Sequence, residues 1–223
     1  MARSVERAAR RAANSGSGPT TQHEISPLPA AKNGFALFGE VLLVGLLMIV
    51  ISLAVVTLPI ALAAGRRHLR RFLAADDSRL TLFWSDVRAG ILGAGGIGLA
   101  SVALVLVLLL DIDMASSGYL PGGPVVMAIG YAGLAALAVV LFTMATLWTP
   151  DATWRAVLRA VPAHVRADPA GAAYLLATAV FAVVVTWQLA PLVVPALGCI
   201  AFALVAVPER PRRRRTTTGM VHQ

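Results

Sequence analysis

The sequence has one cysteine, one lysine and few charged residues of either sign. Of its 223 residues, 13% are charged and 58% are hydrophobic, whereas about a quarter of the residues in an average soluble domain are charged. A soluble chain of this size buries only about 70% of its surface on folding and still needs a polar exterior. The composition therefore excludes an ordinary soluble fold and indicates a protein that is solvated by lipid.

Few residues suited to metal or nucleophilic chemistry are present. Cys199 stands alone, which excludes an intramolecular disulfide and a cluster of thiolate ligands. The histidines occupy separate polar segments without metal-ligand spacing, at His23, His68, His164 and His222. The sequence also lacks a recognisable catalytic triad, carboxylate pair or phosphate-binding loop. We therefore predict no catalytic residues, no cofactor, no metal site and no enzymatic activity.

Long apolar runs dominate what the sequence does contain. About 20 apolar residues cross the ~30 Å of hydrocarbon in a bilayer. Five runs approach or exceed that length, at residues 41–63, 91–110, 125–148, 172–189 and 192–207. They predict an all-α polytopic membrane protein, a five-span helical bundle with short cytoplasmic interfacial helices. Its transmembrane domain covers residues 35–208, between a disordered tail at 1–34 and a basic tail at 209–223.

The first apolar run admits a second interpretation, as a cleavable signal peptide. Residues 61–63, Ala-Leu-Ala, match a signal-peptidase site. A signal-peptide core has only 7–15 apolar residues, however, and here Arg66 and Arg67 follow the run directly. We therefore predict a membrane span, and we expect Pro59 to kink or end it.

The last apolar stretch, residues 172–207, carries no charge. It is too long for one straight span and short for two. Pro191 and Pro195 lie in its middle, so we predict two spans joined by a tight turn, with one kinked span as the alternative. The final span would need local thinning of the bilayer.

Basic residues are concentrated between the spans and in the tails. The net charge of +8 and the pI near 11.2 would suggest nucleic acid for a soluble protein, but this segregation indicates topology instead. Fourteen of the 19 basic residues fall in the loops 64–90 and 149–171 and in the C-terminal tail. The positive-inside rule places these segments in the cytoplasm of a plasma-membrane protein. This five-span topology has one unfavourable feature, because it places the basic N-terminal tail outside the cell. A four-span topology is less favourable, because it would place the C-terminal tail outside as well.

Four consecutive arginines follow the last span after a short gap. We expect them to contact anionic lipid head groups at about 1 kcal/mol each, at Arg212, Arg213, Arg214 and Arg215. No aromatic residues interleave with them, so we expect no nucleic-acid partner.

Two connecting segments are amphipathic. In the second, residues 149–151, Thr-Pro-Asp, predict a helix start. Apolar residues then recur at helical spacing, at Trp154, Val157, Leu158 and Val161, which indicates a short helix at the membrane surface. In the first segment, apolar residues and arginines alternate over 62–73, so we expect the first helix to pass the bilayer and turn along its surface. A loop helix packed on the bundle is an equal alternative for both.

Five glycines lie close together at the start of the second span. Three of them form a literal G-x-G-x-x-G, but the dinucleotide-binding fingerprint needs a preceding strand and an acidic residue about 20 residues further on. Here the motif lies in an apolar span, and the next acidic residue, Asp111, comes too early. We therefore predict a face for close helix packing in lipid, formed by Gly90, Gly93, Gly95, Gly96 and Gly98.

Glu40 and Gln188 are the candidate intramembrane polar residues. An acid within a span is by default a functional candidate, and Glu40 is the one carboxylate that touches a predicted span. Because it lies at the start of its run, where it can reach the head groups, we favour a boundary residue over a proton or substrate site.

Residues 55–92 combine a proline near the end of the first span, a basic amphipathic helix, an acidic turn and an aromatic pair before a further arginine. The corresponding positions are Pro59, Arg66, Arg67, Asp76, Asp77, Phe83, Trp84 and Arg88. This arrangement resembles the YesL-like family of small bacterial membrane proteins. The family has no established activity, but its members commonly occur beside carbohydrate-uptake and carbohydrate-degradation systems. The resemblance therefore implies an accessory role in sugar transport. The long N-terminal tail and the arginine-rich C-terminus depart from the family pattern.

The sequence is compatible with three classes of function. We expect a non-catalytic membrane protein that binds or regulates another membrane protein, such as a carbohydrate uptake system. A small oligomeric transporter or channel is the alternative, and an enzyme acting on lipid ranks third because no nucleophile or base can be nominated. The expected partners are a bilayer with anionic head groups and either another membrane protein or a second copy of the chain.

Overall fold

The computed structural model describes residues 34–118 and 122–210, and within these ranges the secondary structure is helical, with no strand. In the described part of the chain seven α-helices follow one another, at α1 Gly34–Ser52, α2 Leu58–Leu73, α3 Leu80–Ser116, α4 Gly123–Leu147, α5 Trp154–Ala167, α6 Pro169–Gln188 and α7 Val193–Glu209. Short 3₁₀ turns at Val55–Thr57 and Ala190–Leu192 precede α2 and α7.

Five of these helices are long and apolar enough to cross a membrane. They are α1, α3, α4, α6 and α7, the last together with its preceding turn. The protein is therefore an all-α polytopic membrane protein, and the predicted fold class is confirmed. Of the two predicted tails, residues 1–33 and 211–223, including Arg212, Arg213, Arg214 and Arg215, lie outside the described residues.

The first helix differs from the predicted span at residues 41–63. It begins earlier, ends at Ser52, and is followed by a turn in which the Thr57 hydroxyl donates a hydrogen bond to the carbonyl oxygen of Ile51. Pro59 then lies in the first turn of α2, where a backbone N–H would make no hydrogen bond within the helix, so its absence costs no stability. Within a continuous helix the same ring would clash with the preceding turn, so Pro59 begins a new helix instead of ending the first one.

Helices α1 and α2 form an antiparallel hairpin. Glu40, near the start of α1, contacts His68, near the end of α2. Deeper in the hairpin, Gly65 faces Val44 and Met48. The start of α1 and the end of α2 therefore lie at the same end of the bundle.

Helix α2 lies inside the bundle and does not run along the membrane surface. It packs against α1, α3, α4 and α7, and each residue from 59 to 65 is buried. Its arginines are confined to the last two turns. Of the two interpretations of this amphipathic segment, a helix packed on the bundle is the one observed.

Helix α5 occupies the predicted second amphipathic segment, but it begins three residues after the Thr-Pro-Asp sequence. Its N-cap is Thr153, whose Oγ1 accepts a hydrogen bond from the backbone N–H of Ala156. Trp154, Val157 and Val161 are buried against the bundle, whereas Leu158 is exposed. The start is displaced because Trp154 is held in the bundle and Thr153 supplies the cap directly before it.

Residues 172–207 form two helices, with the turn Ala190–Leu192 between them. Helix α6 begins where Asp168 Oδ1 accepts a hydrogen bond from the backbone N–H of Gly171. Helix α7 packs closely on α1, because a Cβ on Gly45 would overlap the carbonyl oxygen of Val194 and one on Gly198 would overlap that of Val41. This close approach of two backbones is typical of helix pairs in membranes.

Helix α3 extends beyond the rest of the bundle. The turn between α1 and α2 meets α3 at Gly98, about halfway along it, where a Cβ would overlap the carbonyl oxygen of Val56. Past that point most side chains of α3 are exposed, and its contacts are with the first half of α4, as at Gly130 and Gly133. We call residues 99–116 and 123–133 the α3–α4 arm.

Candidate functional site

The last two turns of α2 carry four arginines at one end of the bundle. Residues four apart on a helix share a face. Arg66 and Arg70 therefore form one pair of neighbours on the surface of α2, and Arg67 and Arg71 form another. The first pair contacts α7 and the second contacts α3. We call this end of the bundle the arginine-rich end.

Arg67 and Arg71 share one carboxylate. Arg67 Nε donates to Asp86 Oδ2 at 3.1 Å, and Arg71 Nη2 lies 2.8 Å from the same oxygen. Asp86 is 4% exposed. A carboxylate this deeply buried is stable only if it is paired, and here two guanidinium groups neutralise it.

Arg66 and Arg70 bind the end of α7. Arg70 Nε donates to Glu209 Oε1 at 3.0 Å, whereas Arg66 Nε donates to the backbone carbonyl oxygen of Leu204 at 3.1 Å. Burial, and next the charge of Arg70, lower the pKa of Arg66 to about 10, while Glu209 partly opposes the shift. Arg66 lies in α2, outside the five candidate spans, and it is a cation at neutral pH in a crowded basic environment.

Two tryptophans fix the position of Arg67. The rings of Trp148 and Trp154 stack with centroids 5.5 Å apart, and the guanidinium carbon of Arg67 lies 5.9 Å from the Trp148 centroid. Trp154 Nε1 donates to the carbonyl oxygen of Gly90 at 3.0 Å. Both rings are buried, so a cation–π contact on a rigid platform restrains the Arg67 side chain.

The four arginines surround a cavity of about 630 Å³. Its lining combines these guanidinium groups with a few polar and aromatic side chains, at Asp76, Thr146, Trp148, Thr149 and Glu209. Two atoms beside it, Arg71 Nη1 and Glu209 Oε2, are buried without a hydrogen-bond partner among residues 34–118 and 122–210. We call this cavity the arginine pocket.

A further ion pair joins the ends of α6 and α7 nearby. The guanidinium of Arg210 contacts the carboxylate of Asp168 and donates to the carbonyl oxygen of Val207 at 2.6 Å. The Arg210 guanidinium carbon also lies 5.4 Å from the ring centroid of Tyr174. The arginine-rich end is therefore held together by side-chain contacts between distant parts of the chain.

The two predicted polar candidates, Glu40 and Gln188, are far apart in the structure. Glu40 Oε1 accepts a hydrogen bond from His68 Nε2 at 2.7 Å, and His68 is 1% exposed, with its ring edge-on to Phe83. Gln188 is exposed at the end of α6, by the turn that leads to α7. Glu40 therefore joins two helices, which the boundary interpretation did not anticipate.

The predicted glycine face is divided between two environments. Gly90, Gly93 and Gly98 face Trp148, Trp154 and Val56 respectively, where an added Cβ would collide. Gly95 and Gly96 have nothing within 4 Å of such a Cβ. The first three glycines make room for parts of the same chain, and the other two face open space.

The positions that carry the family resemblance are spread around this end. Arg66 and Arg67 line the pocket, Pro59 begins the buried half of α2, and Phe83 is fully buried beneath His68. Of the other four positions, Asp76 and Asp77 are exposed in the turn before α3, and Trp84 and Arg88 are exposed on α3.

Three residues central to the site were missed by the sequence reasoning. Asp86, Trp148 and Glu209 stand singly in the sequence, and no spacing links them to the arginines. The one available signal was the recurrence of arginine at i and i+4 on α2, which marks a shared basic face but not its partners.

Together these features define a polytopic α-helical membrane protein with an arginine-lined pocket at one end of its bundle. No protein-family model matches the chain, and neither do any of the curated proteins or solved structures compared with it. The resemblance of residues 55–92 to the YesL-like family therefore stays a prediction.

Proposed function

We propose that the protein is a non-catalytic integral membrane protein that serves as an accessory or regulatory partner of another membrane protein. The α3–α4 arm carries this proposal. Apart from Asp111 and Asp113, its two helices are largely apolar. They contact each other and leave large side chains such as Leu106 and Ile129 exposed. Gly95 and Gly96, just before the arm, are open to a neighbouring helix, and small residues let helices approach closely in lipid.

The charge distribution favours a different protein over a second copy as the neighbour. The chain carries a net charge of +8, and the pocket arginines lie at one end of the bundle. Two copies side by side in a membrane have their basic ends next to each other, which is electrostatically unfavourable. A neighbour with a less basic end avoids this repulsion.

We further propose that the arginine-rich end faces the cytoplasm of a plasma-membrane protein. The start of α1 and the end of α7 both lie at this end. Segments 1–33 and 211–223 therefore join the bundle there, together with the arginines of α2 and α5. The aspartates Asp111 and Asp113 are near the opposite end of α3. This distribution supports a cytoplasmic arginine-rich end through the positive-inside rule, and it removes the cost of a basic tail outside.

The resemblance to YesL-like proteins favours a carbohydrate uptake system as the partner. That identification depends on the resemblance alone, whereas the existence of a partner depends on the arm. The two can therefore be tested separately.

Photo-crosslinking in the native membrane tests the proposal. A photoreactive amino acid at Leu106 or Ile129, both exposed on the arm, is expected to capture one defined membrane protein. The control position is Trp187 on α6, which is 88% exposed and is expected to capture lipid. Gly96→Leu, which fills the open glycine, is expected to abolish the capture from Leu106.

Capture of the same chain alone, or equal capture from Leu106 and Trp187, would contradict the accessory role. The first result would favour an oligomer.

The alternative, a small oligomeric transporter or channel, is supported by the contact between the buried His68 and the partly buried Glu40. Both side chains can exchange a proton, and His68 Nδ1 is buried without a hydrogen-bond partner among the described residues. Solute or proton flux in proteoliposomes that is lost with Glu40→Gln but retained with Gln188→Leu would support transport. Flux that is absent from the wild-type protein would contradict it.

A further inference from the structure

We infer that the arginine pocket is a binding site for a phosphate monoester, presented either by the head group of an anionic lipid or by a small soluble molecule. This site is independent of the proposed partner on the α3–α4 arm, because it lies at the opposite end of α3 and uses different residues.

Arg66 differs from the other three arginines of the pocket in its contacts. Arg67 and Arg71 are paired with Asp86, and Arg70 is paired with Glu209. Arg66 makes no ion pair within residues 34–118 and 122–210, and its Nε donates to a backbone carbonyl oxygen. The charge of Glu209 acts on Arg66, but that carboxylate is already paired with Arg70, so an anion that enters the pocket would stabilise this partly buried cation further.

The arginine pocket also has unused hydrogen-bonding capacity. Arg71 Nη1 is buried next to the pocket and has no acceptor among the described residues. Buried donors are normally satisfied, and a rotation of the Arg71 side chain, which lines the pocket, would bring this donor to an oxygen of a bound ligand.

The shape and stiffness of the pocket favour a small ligand. A volume of about 630 Å³ lies within the roughly 300–1,000 Å³ of small-molecule sites. Arg67 is already held in place by Trp148 and Asp86. A preorganised cation loses little conformational entropy when it binds an anion.

A phosphate monoester fits this set of donors better than a carboxylate does. It carries a charge of about −1.5 to −2 at neutral pH and offers three strong acceptor oxygens, and guanidinium groups bind phosphate with paired, charge-assisted hydrogen bonds. Two carboxylates also line the pocket. Asp76 is exposed and can turn into solvent, and Glu209 is paired with Arg70. The exposed hydroxyl of Thr149 supplies a further donor to an oxygen of the ester.

The test uses the full chain in nanodiscs of phosphatidylcholine. Glycerol 3-phosphate is titrated by calorimetry, with glycerol as the uncharged control. In a second arm, phosphatidic acid is added to the nanodiscs and retained lipid is counted by native mass spectrometry. Saturable binding of glycerol 3-phosphate identifies a soluble source, and selective retention of phosphatidic acid with no binding of glycerol 3-phosphate identifies a lipid source.

Matched arginine variants locate the site. Arg66→Gln is expected to weaken binding about tenfold or more, because it removes a charge-assisted hydrogen bond to the ligand. Arg79→Gln removes the same charge from an exposed arginine that pairs with Asp77, and it is expected to bind as the wild type does. Ala74→Phe fills the pocket with all four guanidinium groups retained and is expected to abolish binding without unfolding.

Two results would contradict the proposal that the arginine pocket binds a phosphate monoester. One is the failure of both phosphate probes to bind the folded wild-type protein. The other is an equal loss of binding in Arg66→Gln and Arg79→Gln with no effect of Ala74→Phe, which would indicate non-specific attraction to a basic surface. Neither result bears on crosslinking from the arm, so failure of this site and failure of the accessory role are distinguishable.

Discussion

His68 Nε2 on α2 lies 2.7 Å from Glu40 Oε1 on α1, although 28 residues separate them in the chain. A single helix over residues 41–63 would hold these two side chains on opposite sides of the bilayer. Their contact is possible because the chain turns back between Ser52 and Leu58. The start of α1 therefore lies at the arginine-rich end.

Cysteine accessibility tests this hairpin directly. In a Cys199→Ser background, Phe35→Cys at the start of α1 and Arg159→Cys on α5 are expected to react with an impermeant maleimide from the same side of the membrane. Ser117→Cys, at the far end of α3, is expected to react from the other side. Labelling of Phe35→Cys and Arg159→Cys from opposite sides would require α1 and α2 to form one crossing helix.

Removal of the Glu40 carboxylate is expected to destabilise the protein. Glu40→Ala leaves the buried Nε2–H of His68 without an acceptor, which costs about 1–3 kcal/mol. The midpoint of thermal unfolding in detergent should fall by several degrees. Asp77→Asn, which removes a carboxylate from the exposed pair with Arg79, serves as the control and should leave the midpoint unchanged. Equal midpoints for the two variants would show that the buried contact adds no stability.

Asp86→Ala is expected to be more damaging, because it leaves two guanidinium groups without their shared partner. Breaking a fully buried ion pair costs about 3–5 kcal/mol. Arg67 and Arg71 are partly exposed, so we expect about 2–3 kcal/mol, measured as the free energy of unfolding in denaturant. Glu209→Ala is the comparison, since its partner Arg70 is largely exposed and such pairs contribute about 1 kcal/mol or less. If Glu209→Ala lowered the free energy of unfolding more than Asp86→Ala does, this expected order of the two ion pairs would be wrong.

Gly96→Ala and Gly98→Ala form a matched pair on the same helix. A methyl group at Gly98 would overlap the carbonyl oxygen of Val56, and one at Gly96 meets open space. Overpacking typically costs about 1–3 kcal/mol, and we expect the upper end for Gly98→Ala because backbone cannot move aside. Gly96→Ala should leave stability unchanged or raise it. If thermal unfolding of the two variants is the same, the turn does not contact α3 at this point.

Trp154→Phe tests the support of Arg67. The substitution keeps an aromatic ring against Trp148 but removes the N–H that donates to the carbonyl oxygen of Gly90. We expect a loss of about 1 kcal/mol in the free energy of unfolding. Trp187→Phe, on the exposed face of α6, should change it by less than about 0.5 kcal/mol. If Trp154→Phe leaves the free energy of unfolding unchanged, stacking alone holds the ring in place.

Much of the fold is predictable because membrane spans are a local property. A long uncharged run has no stable alternative to a helix in lipid, since backbone N–H and C=O groups must be paired within the segment. The helices over residues 125–147 and 172–188 follow from this reason alone. The bounds of α1 did not follow, because the run continues in apolar residues through the turn at Ser52–Thr57 and its length suggested a single crossing.

The site was less accessible to sequence reasoning than the fold. The four arginines of α2 are adjacent in the chain, and their grouping was visible. Their partners come from elsewhere, since Asp86 lies on α3, Trp148 follows α4, and Glu209 ends α7. Only the packing of these helices brings the partners together, and the hydropathy pattern carries no information about it.

The amino-acid sequence by itself determined that this protein is helical, that it lies in a membrane, and that its basic residues are kept out of the apolar runs. These properties depend on the free energy of moving each segment into lipid, which is additive along the chain. The tertiary structure decided that α2 returns into the bundle, that Glu40 pairs with His68, and that four arginines enclose a pocket. Each of these depends on contacts between segments distant in the chain, such as Arg66 with Leu204 and Arg70 with Glu209, and such contacts exist only after the helices have packed.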